Sequence, residues 1–153
     1  DVKAVCLHLQ DTFAIDVPMF LALHWVENGG LSDASFDDLN AALAPATKWQ
    51  QEQVIPLRTK RREVFEKEGR GQAYADAMKA ELAAEKQQID MIEEAVLAQK
   101  PDAANLAETV AYASNYLASK DVPEKECADA DRIVKRAIKE QVSNELPTRL
   151  KVK

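Results

Sequence analysis

From about Ala73 to Gln99 the chain carries neither glycine nor proline, and Met78, Leu82, Ile89, Ile92 and Val96 recur at helical spacing. That period marks one face of an α-helix. A helix this long can bury its stripe only against further helices or a sheet, and no stretch alternates apolar and polar residues for long enough to supply a strand. The remaining partners must be helices.

The rest of the chain provides them. Residues Val2, Val5, Cys6, Leu9 and Phe13 place the beginning of the chain in an amphipathic helix. Asp16 then reads as an N-cap, with Pro18 tolerated in the first turn of a helix from Val17 to about Glu27. That helix is apolar on every side and therefore central, and Gly29-Gly30 is placed to end it with a left-handed C-cap. Ser35 and Asp38 resemble a capping pair for a short helix to about Ala44. Pro45 opens another, expected over 46–68, with Pro56 kinking or interrupting it. "EGRGQ" is a turn leading into the long helix. A helix over 103–119 would turn Leu106, Val110, Ala113 and Leu117 inward, and Pro123 begins the last, expected to reach Ser143 before Pro147 and a basic tail. The expected fold is all-α, a compact single-domain bundle of about six helices with no sheet. It spans residues 1–153, divided into a part over 1–120 and a C-terminal helix with its tail over 121–153.

Composition agrees. Only four of 153 residues are glycine, which disfavours a loop-rich or β-rich chain, and 46% hydrophobic with 30% charged residues is an ordinary globular balance. The net charge of −6 is uneven: −6 over 1–55, +3 over 56–70, −8 over 71–131 and +5 over 132–153. An acidic body with two separated basic segments makes nucleic acid an unlikely ligand, because phosphate binding needs a continuous positive surface. The two cysteines, Cys6 and Cys127, form no metal-finger or redox spacing. Reduced thiols imply a cytoplasmic protein. The longest apolar run, Val17 to Val26, is too short to span a bilayer.

Three stretches, "AVCLHLQDTFAIDVPMFLALHWVENGG", "KWQQEQVIPLRTKRR" and "NLAETVAYASNYL", occur in order. Together they resemble the signature of a small proteobacterial family of uncharacterised helical proteins: A-C-L-x-L-Q, then D-V-N, then an apolar helix ending in Trp, then V-x-P-L-R and R-R. The resemblance covers roughly residues 4–118, with Pro18 where the family has Asn. It implies a bacterial helical protein and no particular reaction, since the family has no established activity.

Few residues could carry chemistry. His24 falls on the face of Val17, Phe20 and Leu21, so it should be buried and hydrogen-bonded, with Cys6 of the first helix expected at its level. A nucleophilic Cys–His pair is the weaker reading, because buried thiols are usually inert. Arg61 lies in the middle of the Val54, Leu57, Val64 and Phe65 stripe, with Arg58 at its border, and Glu85 occupies the middle of the Met78–Ile92 stripe. Charges among aliphatic neighbours must pair, so Arg61, supported by Arg58, is expected to meet Glu85. The alternative is a pocket for a small carboxylate or phosphate, since guanidinium groups bind such anions in bidentate fashion.

No Glu-x-x-His, phosphate-binding loop or nucleophile elbow occurs, so neither a metal nor a cofactor is expected. On the last helix Arg132, Lys135, Arg136 and Lys139 form a basic face, a candidate interaction surface opposite Ala130, Ile133 and Val134. The function expected is therefore binding without catalysis, as a cytoplasmic interaction or regulatory protein whose partner is another protein or a second copy. The rivals are a small-molecule site at His24, Arg58, Arg61 and Glu85, and RNA or ribosome contact through "LRTKRR" and the basic tail.

Overall fold

The computed structural model describes residues 1–29, 34–99 and 111–151. Among these there is no strand, and the fold is all-α. The chain divides into two compact units, one formed by residues 1–24 and 111–153, the other by residues 25–110.

In the first unit, α1 (Val2–Phe13) and the first half of α2 (Val17–Gly29) join α7 (Tyr112–Ser119) and α8 (Glu124–Lys151). Asp1 caps α1 by accepting from the Lys3 amide at 2.9 Å. Ala14 ends it at φ 54°, and the following Ile15 amide returns to the Leu9 carbonyl at 3.3 Å. The Asp16 N-cap forms as expected: its carboxylate accepts from the Met19 amide at 3.3 Å. The Asp16 amide in turn donates to the Tyr116 hydroxyl on α7 at 3.1 Å, which ties the entry of α2 to that helix. The core holds Leu9, Ile15, Phe20, Tyr112 and Leu117, all at most 1% exposed, together with Cys6, Cys127 and Val134. Helix α8 runs on through Pro147 to Lys151 where an end near Ser143 was expected. The expected C-cap at Gly30 and the inward positions Leu106 and Val110 lie outside the described residues.

In the second unit, Ser35 caps α3 (Phe36–Ala42) by accepting from the Asp38 amide at 3.1 Å. Then α4 (Ala44–Trp49), one π-helical turn (Gln50–Val54) and α5 (Ile55–Glu68) form a continuous rod. The expected disturbance at Pro56 takes this form. Proline supplies no N–H to the carbonyl four residues earlier and its ring crowds that carbonyl. The wider turn relieves both, and the Ile55 amide bonds to the Gln50 carbonyl, five residues back. Gly69 then turns the chain at φ 68°, a conformation glycine adopts without a Cβ penalty, and α6 (Gln72–Ala98) returns antiparallel to α5.

The buried face of α6 corrects the sequence expectation. Ala77, Glu81, Ala84, Gln88, Ile92 and Val96 are buried, whereas Leu82 and Ile89 are exposed and Met78 lies between. Small residues decide this. Ala77 and Ala84 let the rod approach closely enough for the Trp49 indole N–H to donate to the Ala84 carbonyl at 2.9 Å, whereas leucines there would hold the helices apart. Helix α5 has no buried residue at all.

The strain at Ala14 is testable. A left-handed alanine costs about 1 kcal/mol that glycine avoids. Ala14→Gly should therefore raise the unfolding free energy by roughly 0.5–1 kcal/mol in urea titrations, and Ala14→Val should lower it.

Candidate functional site

The charged residues singled out in sequence converge on the seam between α5 and α6, with one change of partner. Arg58 Nε donates to Glu81 Oε1 at 3.0 Å and Arg58 Nη2 to Glu85 Oε1 at 2.9 Å. Arg61 Nε donates to the other oxygen of Glu81. Arg61 therefore meets Glu81 in place of the expected Glu85, which bonds Arg58. The reason is the rotated face of α6: Glu81, 4% exposed, sits at its centre between Ala77 and Ala84, and Glu85 at its edge. Burial alone would push the Glu81 carboxyl up, but the hydrogen bonds from Arg61 and then Arg58 outweigh it and hold the carboxyl below the usual carboxylate range. Its hydrogen bond to Glu81 raises the Arg61 guanidinium in turn.

His24 belongs to the other unit. It is fully buried, and its ring meets Phe20 edge to face at 4.9 Å between centroids. The carboxylate that approaches it is Asp131 on α8, 3.9 Å from Nε2. Lys135, one turn on, holds the same carboxylate at 2.9 Å. Burial lowers the imidazole to about 4, with Asp131 opposing and Lys135 assisting. A neutral imidazole of this kind packs against its neighbours but is a poor base near pH 7. Burial also pushes the Cys6 and Cys127 thiols up, the opposite of what a nucleophile needs.

On α8 three of the four residues of the basic face are matched within their own helix. Arg132 lies 3.5 Å from Asp129, Lys135 lies 2.9 Å from Asp131, and Arg136 lies 3.1 Å from Glu140. A groove of about 350 Å³ between α1 and α8 is lined by Ala4, Val5, Leu9 and Ala130, with the 3.4 Å pair of His8 and Glu126 at its wall. None of His24, Arg58, Arg61 and Glu85 lines it.

The surface beside the arginine–glutamate cluster is different in character. Ile55, Arg58, Arg62 and Phe65 share one face of α5, and Met78, Leu82, Glu85 and Ile89 share one face of α6. The Arg58–Glu85 hydrogen bond joins the two stripes into one side of the hairpin. On that side Leu82 is 54%, Ile89 51%, Phe65 46% and Ile55 41% exposed. The α6 stripe that the spacing marks as core is exposed at Leu82 and Ile89. Glu81 and Gln88 are buried polar residues that hydrophobic periodicity does not mark, and the only sequence sign of this close-packed face is Ala77 and Ala84, one heptad apart.

A protein-family model described as "Protein of unknown function (DUF2390)" matches residues 1–92, a span that stops short of the 118 suggested by the sequence motifs. No curated protein and no solved structure matches the chain.

Two outcomes are expected from this geometry. Glu81→Ala strands two half-buried guanidinium groups and should cost roughly 3 kcal/mol, whereas Glu85→Gln, at the exposed edge, should cost under about 1 kcal/mol. Chemical denaturation of the two variants checks the ranking. For His24 the folded value of about 4 lies below the unfolded value near 6.5, so between them only the unfolded chain takes up the proton. Stability should be full above about pH 6.5 and fall by about 3 kcal/mol as pH drops to 4. In His24→Gln that component should vanish; parallel pH profiles for the two proteins would exclude His24 as its source.

Proposed function

The chain belongs to the DUF2390 family, whose description names no activity, and we propose that it is a non-enzymatic interaction protein that docks a protein partner on the exposed side of the α5–α6 hairpin. The observation that carries this reading is the apolar stripe of α6. Its C-terminal end, Ile92 and Val96, is buried, while Leu82 and Ile89 on the same stripe are about half exposed beside Ile55 and Phe65. Covering what remains of these four side chains would contribute on the order of 4 kcal/mol. Scattered surface leucines need no explanation, but a one-sided group at helical spacing on two adjacent helices marks a contact surface.

The ionic cluster supports the same reading. Arg58 and Arg61 direct their Nε groups, and Arg58 one further nitrogen, to carboxylates of their own chain. They brace the hairpin, so the face is presented as a preorganised surface, which reduces the entropy lost on docking. No described helix is long and apolar enough to cross a membrane. We place the protein in the bacterial cytoplasm, a reading supported by two free, buried thiols and by the motif resemblance.

A photoreactive residue at position 89 tests the docking face. In native-host extract and in the purified chain it should form adducts between molecules, and Leu82→Lys should remove them with the helical circular dichroism unchanged. Absence of intermolecular adducts in both preparations would refute the reading.

A further inference from the structure

Resting on that docking-face reading, we infer that the occupant of the α5–α6 face is a second copy of this chain, with α5 of each copy lying across α6 of the other. The two helices carry opposite charge. Helix α5 has five basic and three acidic residues, and α6 has two basic and six acidic. The exposed stripes repeat the bias: Arg58 and Arg62 stand between Ile55 and Phe65 on α5, and Glu85 stands between Leu82 and Ile89 on α6. A face that is basic along one edge and acidic along the other is complementary to itself under a two-fold rotation.

The direction of the axis follows from the same charges. An axis at right angles to the helices would lay α5 on α5 and α6 on α6, like charge on like. An axis along the hairpin exchanges the two sides, keeps each residue at its own level, and sets α5 antiparallel to the opposing α6. The levels are fixed within the chain. Arg58 bonds Glu81 and Glu85, and the Phe65 ring meets Tyr74 at 5.6 Å between centroids. Ile55 therefore sits level with the Glu85–Ile89 turn, and Phe65 with the Tyr74–Met78 turn. In the pair, Ile55 faces the partner's Ile89, and Phe65 faces the partner's Met78, a favourable sulfur–aromatic match.

The sequence spacing suits this arrangement. Steps of three, four and three along Ile55, Arg58, Arg62 and Phe65, and of four, three and four along Met78, Leu82, Glu85 and Ile89, are those of a coiled-coil seam. Two such hairpins face to face make an antiparallel four-helix bundle. Arg58 and Glu85, already bonded to each other, can be enclosed in it without leaving an unpaired charge.

Sedimentation equilibrium of the full chain across micromolar concentrations decides the matter. The wild type should sediment as a dimer that weakens as salt is raised. Leu82→Lys, which sets a further positive charge against the partner's Arg58 and Arg62, should sediment as a monomer with its circular dichroism retained, and Ile89→Lys serves the same end should the first variant fail to fold. In a mixture of isotope-labelled and unlabelled chains, the photoreactive residue at position 89 should join to α5 of the other copy. A wild type that stays monomeric overturns the dimer, and the docking face then stands if the extract adduct contains a different protein and falls if no adduct forms. A dimer indifferent to both substitutions overturns the dimer geometry and the docking face together. Adducts mapping to α6 of the other copy overturn the axis.

Discussion

The attachment of α5 depends on Glu81. No residue of α5 is fully buried and its apolar residues Leu57 and Val64 are half-buried, so hydrophobic burial holds this helix only in part. What joins it to α6 is a carboxylate, 4% exposed, that receives Arg58 on one oxygen and Arg61 on the other. A buried ion group of this kind stabilises less than an apolar core of equal size, but its geometry is directional. It permits one register of α5 along α6, and that register sets the level of every residue on the exposed face.

The π-helical turn serves the same geometry from the other end. By taking up one extra residue before Pro56, it lets a proline stand in a rod that remains continuous from Ala44 to Glu68. Gln50 and Val54 are buried in that turn, and the Trp49 indole just before it bonds the Ala84 carbonyl. Arg58 and Arg61 are thus carried on a segment anchored at its start by apolar burial and a hydrogen bond, and along its length by charge. The side chains that result from this rigidity are few, but they point one way.

Much of the architecture was legible because it rests on local chemistry. The N-caps Asp16 and Ser35, the turn at Gly69 and the period of α6 depend on residues within a turn of one another. His24 was legible as a packed histidine, since its whole helix is apolar, but its neighbour was not. Asp131 comes from α8, and nothing in the local pattern of either helix points to the other. Glu81 was misplaced for a related reason. Hydrophobicity weighted Leu82 and Ile89 above Ala77 and Ala84, although the closeness of packing is decided by size.

The amino-acid order by itself determined an all-helical chain, the approximate ends of most of its helices, and the presence of arginines and glutamates that had to find one another. Tertiary structure decided which face of α6 turns inward, that Glu81 and not Glu85 is the shared acid, and that Leu82 and Ile89 stay exposed while Ile92 and Val96 are covered. The physical reason is that helix formation is governed by interactions within a turn, whereas the choice of buried face is a comparison between neighbours. Two alanines that admit an indole and two guanidinium groups outweigh two leucine-sized side chains that would have kept the helices apart.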